Sequence, residues 1–190
     1  MPRHPDPELE EHILKTADAL WKRGGTKALT MRAVARAAGT NTPAVYRRFK
    51  NREELVKGIL LRVADRIRRD FEQAKTLEEI AEIYLEFAEK NPNEYQLFFT
   101  EARLLHPPRK RGALPRPIRE SRPNFAYVEQ QVAKRLGGNP EDYTELTLKL
   151  WCIAHGAALL LLTKGIPEGH EEELRRACMA GVKTLIENER

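Results

Sequence analysis

The stretch from Thr30 to Leu55, TMRAVARAAGTNTPAVYRRFKNREEL, constrains the fold most, because its pattern predicts two short helices, a tight turn between them and the start of a longer helix. Apolar residues recur at helical spacing in the first helix, at Met31, Val34, Ala35 and Ala38. Val45 and Phe49 give the second helix an apolar side, and the small alanines of the first allow a close crossing. The pattern predicts a helix-turn-helix motif.

The residues that begin and end these helices support the same interpretation. Thr30 is a suitable N-cap for the first helix, and Gly39 can adopt the left-handed conformation that ends it. Asn41 or Thr42 can cap the second helix. Pro43 is tolerated in its first turn because the donor that proline lacks would have no helical partner there. The turn is therefore short.

Basic residues dominate this part of the chain. From Ala19 through Arg52 there is no Asp or Glu, and the nine basic residues are Lys22, Arg23, Lys27, Arg32, Arg36, Arg47, Arg48, Lys50 and Arg52. Such a run over a helix-turn-helix is typical of phosphate binding. A solvated basic face on an ordinary helical pair is the alternative. The turn chemistry and the small residues favour DNA, and the net charge of +5 agrees with a polyanionic partner.

The stretch resembles the DNA-binding head of the TetR family of transcriptional regulators. The residues that match in order and spacing are Thr30, Val34, Ala35, Ala38, Gly39, Tyr46, Phe49, Glu54 and Leu55. The most specific part is Tyr46-Arg47-Arg48-Phe49 followed by Arg52-Glu53-Glu54-Leu55. Thr40 departs from the usual small aliphatic residue, and Arg52 stands where lysine is usual. Beyond roughly the first 55 residues the resemblance is weak, as for a common head on a variable body.

The resemblance implies a homodimeric, ligand-responsive regulator, a repressor in our interpretation. It would bind a near-palindromic operator in double-stranded DNA and be released by a small, mostly apolar effector. We expect the second helix to expose Thr42, Ala44, Tyr46, Arg47 and Arg48. Phosphate contacts are expected from Thr30, Thr42, Tyr46 and Arg52, and base contacts from Ala44, Arg47 and Thr42. The full predicted DNA-binding set is Thr30, Arg32, Asn41, Thr42, Pro43, Ala44, Tyr46, Arg47, Lys50 and Arg52.

The whole sequence predicts an all-α fold of about nine helices. A three-helix head is expected over residues 1–52, and a helical ligand-binding and dimerisation body over residues 53–190. The first helix should run from Asp6 to Arg23 and be stopped by Gly24-Gly25. The last two helices, Glu141 to Lys164 and Glu168 to Glu187, are expected to form the dimer interface, because the first of them is apolar on nearly every side.

Two proline-containing segments interrupt the helical pattern. Residues Met1 to Pro7 predict a disordered arm, with an extension into the minor groove as the alternative. Residues His106 to Arg122 contain four prolines and several basic residues, so we interpret them as a long mobile surface loop. A second nucleic-acid contact there is disfavoured because no aromatic residues are interleaved with the charges.

Aromatic residues are frequent in the body. Each one singly is best explained as core packing, but the family resemblance implies that some face an effector cavity. The predicted lining is Tyr84, Phe87, Phe98, Phe99, Tyr127, Trp151 and His155. Trp151, His155 and Gly156 also resemble the Trp-His-Gly signature of one class of TetR-family C-terminal domains.

Catalytic and metal signatures are absent from the sequence. Cys152 and His155 lie three apart, a spacing that suits a metal or a thiol nucleophile, but without further ligands core packing is favoured. We expect no cofactor, no metal and no enzymatic activity; an all-α enzyme or scaffold with a merely TetR-like head is the alternative. The two cysteines, the N-terminus without an apolar segment and the lack of a run of ~18 apolar residues predict a cytoplasmic protein without a membrane partner.

Overall fold

Helices account for all the regular structure that the computed structural model shows in the residues it describes, 7–106 and 114–189. The nine α-helices are α1 (Pro7–Ala28), α2 (Met31–Ala37), α3 (Thr42–Tyr46), α4 (Arg52–Phe71), α5 (Leu77–Lys90), α6 (Pro92–Thr100), α7 (Pro123–Leu136), α8 (Thr144–Leu162) and α9 (Glu171–Asn188). Three short 3-10 helices span Ala102–Leu105, Ile118–Glu120 and Pro140–Tyr143. The predicted all-α fold of about nine helices is confirmed.

Two compact units divide the chain. The first contains the residues up to Val63 together with a later segment that begins at Asn93, and the second contains Ala64–Pro92 and the chain after Pro108. The core of the first unit includes Ile13, Val34, Val45, Leu55 and Leu97, and that of the second includes Leu85, Val132, Leu146, Ala158 and Ile186. Burial of these apolar side chains is the main driving force for each unit.

Helix α1 is longer than predicted but breaks where its end was expected. Gly25 has φ 59° and ψ −150°, which are not helical values, inside the span Pro7–Ala28. A positive φ of this kind is readily available to glycine. In the first unit α1 packs against α2, and α2 packs against α3.

The segment Asn93–His106, which we call the return segment, is tied to α1 within the first unit. Trp21 Nε1 donates to the carbonyl oxygen of Asn93 at 3.0 Å. Asn93 Nδ2 donates to the carbonyl oxygen of Lys22 at 2.8 Å, and Lys22 Nζ lies 3.2 Å from the buried carboxylate of Glu94. Helix α1 is therefore bonded, within the first unit, to residues about 70 positions later in the sequence.

The predicted loop at His106 to Arg122 is wrong at its C-terminal end. Ile118–Glu120 forms a 3-10 helix, and Arg119 Nη2 lies 3.2 Å from the carboxylate of buried Glu129. Arg119 also contacts Glu141, so this end is held by ion pairs. The part of that prediction at residues 107–113 lies outside the described residues, and so do residues 1–6 of the predicted arm Met1 to Pro7. Pro7 itself is the first residue of α1, so the arm prediction is wrong there.

Helix α8 begins at Thr144, directly after the 3-10 helix Pro140–Tyr143. The described stretch Pro140–Leu162 is long and apolar enough to cross a membrane by length and composition. That is weak evidence for a membrane span, because core helices of soluble proteins meet the same criteria. In the second unit α8 packs against α5 and α9.

Candidate functional site

The helix-turn-helix is built by local hydrogen bonds that the sequence predicted. Thr30 Oγ1 accepts from the backbone N–H of Ala33 at 3.1 Å and caps α2. Asn41 Oδ1 accepts from the N–H of Ala44 at 2.8 Å and caps α3, with Pro43 in its first turn. Gly39 has φ 63°, the left-handed conformation expected after α2. These bonds satisfy backbone donors that each helix start would otherwise leave without partners.

Most of the predicted DNA-binding side chains lie on the surface of the first unit. Those exposed to solvent are Thr30, Arg32, Asn41, Pro43, Tyr46, Arg47 and Lys50, while Thr42 and Arg52 are half-buried. Tyr46 is notable because 49% of this large side chain is exposed. An exposed tyrosine between basic residues at the end of α3 presents a hydroxyl and an apolar ring to a partner.

The predicted exposure of Ala44 is wrong. Only 3% of Ala44 is exposed, because the five-residue α3 turns both Ala44 and Val45 into the core of the first unit. Arg48, also predicted to be exposed, is half-buried, and its Nη1 donates to the carbonyl oxygen of Ala44 at 3.3 Å. The exposed surface of α3 is therefore narrower than predicted.

Arg52 has a structural bond in addition to its predicted contact. Its Nε donates to the carbonyl oxygen of Leu29 at 3.1 Å, so the first residue of α4 is attached to the chain just before α2. The next residue, Glu53, accepts from Arg103 Nη2 at 3.0 Å. Glu54 Oε2 accepts from the N–H of Lys50, and the Glu54 N–H donates to Asn51 Oδ1, an arrangement that resembles a capping box at the start of α4.

In the second unit, three of the predicted effector-binding residues come together. Trp151 Nε1 donates to Tyr84 Oη at 3.3 Å, and Tyr84 Oη lies 3.2 Å from His155 Nδ1. All three side chains are half-buried. Burial lowers the pKa of His155 below its usual value, so the imidazole is neutral near pH 7.

The other predicted lining residues have separate surroundings. Phe87 and Tyr127 are buried, with the Arg66 guanidinium 5.7 Å from the Phe87 ring and the Arg68 guanidinium 4.0 Å from the Tyr127 ring. Tyr127 Oη also donates to the carbonyl oxygen of Phe71 at 3.3 Å. The remaining two, Phe98 and Phe99, belong to the first unit, with their ring centroids 5.9 Å apart.

Arg122 is a residue of this cluster that the sequence analysis missed. Its guanidinium lies 5.6 Å from the ring centroid of Trp151, and burial lowers its pKa. Phe125 packs edge-on against the same indole at 6.1 Å. The available signal was Pro123, which begins α7 and therefore fixes Arg122 at the N-cap position of that helix.

A second missed feature is an open groove between α5 and α9. Its lining is mostly charged: Glu82, Glu86, Glu89, Lys90, Glu172, Arg175, Arg176 and Met179. Arg175 bridges the two helices by contacts with Glu82 and Glu89. This groove differs from the aromatic cavity that the sequence predicted.

The predicted pair Cys152 and His155 has no further metal ligands around it in the described part of the chain. Cys152 is exposed, and His155 faces Tyr84. Within residues 7–106 and 114–189 no group of three or more His, Cys, Asp or Glu side chains could hold a metal ion.

Two family models match the chain. Residues 13–59 match the model of bacterial regulatory proteins of the tetR family, and residues 77–185 match the tetracyclin repressor-like C-terminal domain. The second match alone spans more than half of the 190 residues. The chain belongs to the TetR family.

Solved structures share this TetR fold over nearly the whole chain. A Rhodococcus sp. RHA1 protein of unknown function is 21% identical, with coverage of 99% of this chain and 98% of that one and a TM-score of 0.65. The multidrug binding protein EbrR, complexed with ethidium, is 20% identical, with coverage of 95% and 99% and a TM-score of 0.62. A TetR variant from Acinetobacter baumannii AYE in complex with minocycline is 18% identical, with coverage of 93% and 93% and a TM-score of 0.58.

No curated protein sequence matches the chain significantly. The two family models nevertheless cover both the helix-turn-helix and the body of this TetR-family chain. It is a ligand-responsive transcriptional regulator with a helix-turn-helix DNA-binding domain and a ligand-binding domain.

Proposed function

We propose that this regulator is a repressor that binds a near-palindromic operator as a homodimer and is released by a small effector. The observation that carries the proposal is the capped helix α3, whose exposed Tyr46 and Arg47 lie in a run of basic residues without a carboxylate. A capped recognition helix presenting cations and a tyrosine hydroxyl suits a DNA groove and its flanking phosphates.

The roles of the individual residues follow from their exposure. Arg47 and Thr42 are proposed to contact base edges, while Thr30, Tyr46 and Arg52 contact phosphates. Ala44 is left out because its side chain is buried. The other exposed members of the proposed DNA surface are Arg32, Asn41, Pro43 and Lys50.

Exposed apolar residues on the last two helices support the homodimer. Leu159 and Leu160 of α8 are 49% and 39% exposed, although both are large apolar side chains. Ala177 and Ala180 of α9 are also exposed, and their small size permits close helix packing. A second copy of the chain would remove these surfaces from water, and two-fold symmetry of the dimer matches a near-palindromic operator.

The effector site is proposed to centre on Tyr84, Trp151 and His155. Aromatic surface next to a few polar groups suits a ligand with a mostly apolar body. Structural relatives are complexed with ethidium and minocycline, both of which contain fused rings. We also propose that the body belongs to the Trp-His-Gly class, which Trp151, His155 and Gly156 support. We further propose a cytoplasmic protein without catalytic activity.

To bind one face of the operator, the two recognition helices of a dimer must lie about 34 to 36 Å apart, the length of one duplex turn. The effector can release the operator only if it binds more tightly to a dimer with a different spacing. A preference of about 1–3 kcal/mol would lower operator affinity roughly 5- to 150-fold, and operator DNA would weaken effector binding by the same factor.

An electrophoretic mobility shift with DNA fragments from upstream of the protein's own gene tests the proposal. We expect one fragment to shift at a protein concentration at which random DNA of equal length does not. An Arg47→Ala variant of unchanged thermal stability should lose this preference. If the wild-type protein shifts every fragment equally, or shifts none, the proposed repressor function is wrong.

A further inference from the structure

Three half-buried polar side chains of the second unit, Arg122, Tyr84 and His155, lie next to the indole of Trp151. The Arg122 guanidinium lies 5.6 Å from the centroid of the Trp151 ring. The indole Nε1 donates to Tyr84 Oη at 3.3 Å, and Tyr84 Oη lies 3.2 Å from His155 Nδ1. Each of these side chains retains some exposure to solvent. The cluster is therefore partly dehydrated and still in contact with solvent.

Hydrogen-bond donors outnumber acceptors in this cluster. A guanidinium has five N–H donors and no acceptor, and an indole N–H only donates. The Tyr84 hydroxyl and a neutral His155 can each donate once, and together they provide few acceptors. A ligand group that only accepts hydrogen bonds complements such a set, and a carboxylate is the planar group that a guanidinium binds in bidentate fashion.

Partial burial strengthens the attraction between Arg122 and an anion. Burial lowers the pKa of Arg122 because the charged form loses hydration, yet an arginine side chain stays protonated at neutral pH. Burial also lowers the pKa of His155, so the imidazole adds no second charge near pH 7. The cluster thus presents one cation where the effective dielectric constant is below that of water.

The surroundings of Arg122 also provide an apolar surface. Phe125 packs edge-on against Trp151 with ring centroids 6.1 Å apart, and only 7% of Phe125 is exposed. The rings of Trp151 and His155 lie 6.5 Å apart on the same helix. An apolar ligand body can contact the indole while its charged end reaches the guanidinium.

From this arrangement we infer that the effector is a small apolar carboxylate whose charged group binds Arg122 and whose carbon body packs against Trp151. This rests on the proposed function, because it takes the ligand of the cluster to be the effector. The positive charge of Arg122 also disfavours organic cations as ligands of this site. Ethidium, the ligand of the structural relative EbrR, is a cation that Arg122 would repel.

The test uses matched pairs of probes on the full-length protein. Binding of 2-naphthoate, benzoate and decanoate is measured by isothermal titration calorimetry at pH 7.5, each against its neutral amide. Arg122→Met removes the charge and keeps a side chain of similar length. Arg116→Met is the matched control, since Arg116 is an exposed arginine in the segment that leads into α7. Circular dichroism melts establish that both variants are folded.

We expect at least one carboxylate to bind wild-type protein about tenfold or more tightly than its amide, the low end for a charge-assisted hydrogen bond. Arg122→Met should abolish this preference, and Arg116→Met should retain it. If no carboxylate is preferred over its amide, or if the preference survives in Arg122→Met, the inference is wrong.

Measurements of operator binding distinguish the inferred ligand class from the proposed release mechanism. Wild-type and Arg122→Met proteins are titrated with a shifted operator fragment, with and without the carboxylate that binds. Arg122-dependent carboxylate binding without a change in operator affinity would support the ligand class and contradict the release mechanism. Operator release that does not depend on Arg122 would support the mechanism and overturn the inferred ligand class.

Discussion

Asn41 Oδ1 accepts a hydrogen bond from the backbone N–H of Ala44 at 2.8 Å, and this bond begins the helix that precedes Arg47. Helix α3 has only five residues, so one cap is a large part of what holds it. We expect Asn41→Ala to lower the free energy of unfolding by about 0.5–2 kcal/mol, measured by urea denaturation. Operator affinity should fall as well, because α3 would be less ordered.

Two further substitutions at Asn41 distinguish the effect of losing the capping hydrogen bond from the effect of adding a negative charge. Asn41→Ser preserves a capping oxygen and should leave both stability and DNA binding near wild-type values. Asn41→Asp also caps α3, but it places a negative charge on the proposed DNA surface, so it should lose operator affinity without losing stability. Equal operator affinity for Asn41→Asp and wild type would place this end of α3 away from the phosphates.

Arg47 and Lys50 should differ in how they affect DNA binding. Both are exposed, but only Arg47 is proposed to contact a base. Arg47→Ala is expected to weaken the operator complex by about 1–3 kcal/mol more than the complex with random DNA. Lys50→Ala should weaken both about equally and reduce the salt dependence by about one counterion. Fluorescence anisotropy at several salt concentrations measures both effects, and an equal loss in Arg47→Ala would make Arg47 a phosphate contact.

The proposed dimer is best tested with exposed leucines. Leu159→Glu and Leu160→Glu should convert a dimer to a folded monomer in sedimentation velocity, because each would bury a charge between the two copies. Leu61→Glu is the matched control, since Leu61 is 47% exposed on α4 and outside the proposed interface. A wild-type protein that sediments as a monomer at micromolar concentration would contradict the proposal.

Ala158 and Val182 are unsuitable for that test, although the sequence places them on the apolar stripes of α8 and α9. Their exposed fractions are 0% and 1%, so they are core residues of a single chain. Arginine at either position should unfold the protein whether or not it forms a dimer.

Arg175 is expected to stabilise the second unit by linking α9 to α5. It contacts Glu82 and Glu89, and 16% of its side chain is exposed. Arg175→Met leaves two carboxylates of α5 without this cation, so the free energy of unfolding should fall by about 1–3 kcal/mol. Lys183→Met is the control, because Lys183 forms an exposed pair with Glu187 at 3.9 Å that should contribute under about 1 kcal/mol. Equal losses in the two variants would contradict the structural role of Arg175.

His155 should make stability depend on pH. Burial lowers its pKa below the usual 6.5, so in the window below that value the unfolded chain binds a proton that the folded chain does not. The free energy of unfolding therefore rises with pH in this window, and the contribution of His155 to it is lost as the pH falls below about 6.5. His155→Gln should reduce the difference between urea midpoints at pH 7.5 and 5.5. His12→Gln, at an exposed histidine of α1, serves as the control substitution.

Local features of the sequence predicted the local structure well. Thr30, Gly39 and Asn41 were predictable because a cap or a turn depends on a few neighbouring residues. The burial of Ala44 was not predictable, because alanine suits either side of a five-residue helix and only tertiary packing decides between them. Arg122 was obscured by the many basic residues before it, although Pro123 marked the start of a helix.

Contacts between distant parts of the chain could not be predicted. The hydrogen bond from Trp21 to Asn93 joins residues 72 positions apart, and neither residue type is specific for such a pairing. The aromatic set was predicted as one lining, but Phe98 and Phe99 fall in a different unit from Tyr84, Trp151 and His155. Composition identifies which aromatic residues the body contains, whereas the chain topology decides which of them meet.

The return segment means that the DNA-binding unit is not a contiguous piece of the chain. A fragment that ends at Val63 would lose the carbonyl partner of Trp21 and the buried Glu94, which pairs with Lys22 together with Asp18. It would also expose the apolar surface that Tyr95 and Leu97 cover in the intact unit. Insertions between Val63 and Asn93, in contrast, leave every one of these contacts inside the first unit. An isolated head for spectroscopy therefore needs the return segment as well as the residues up to Val63.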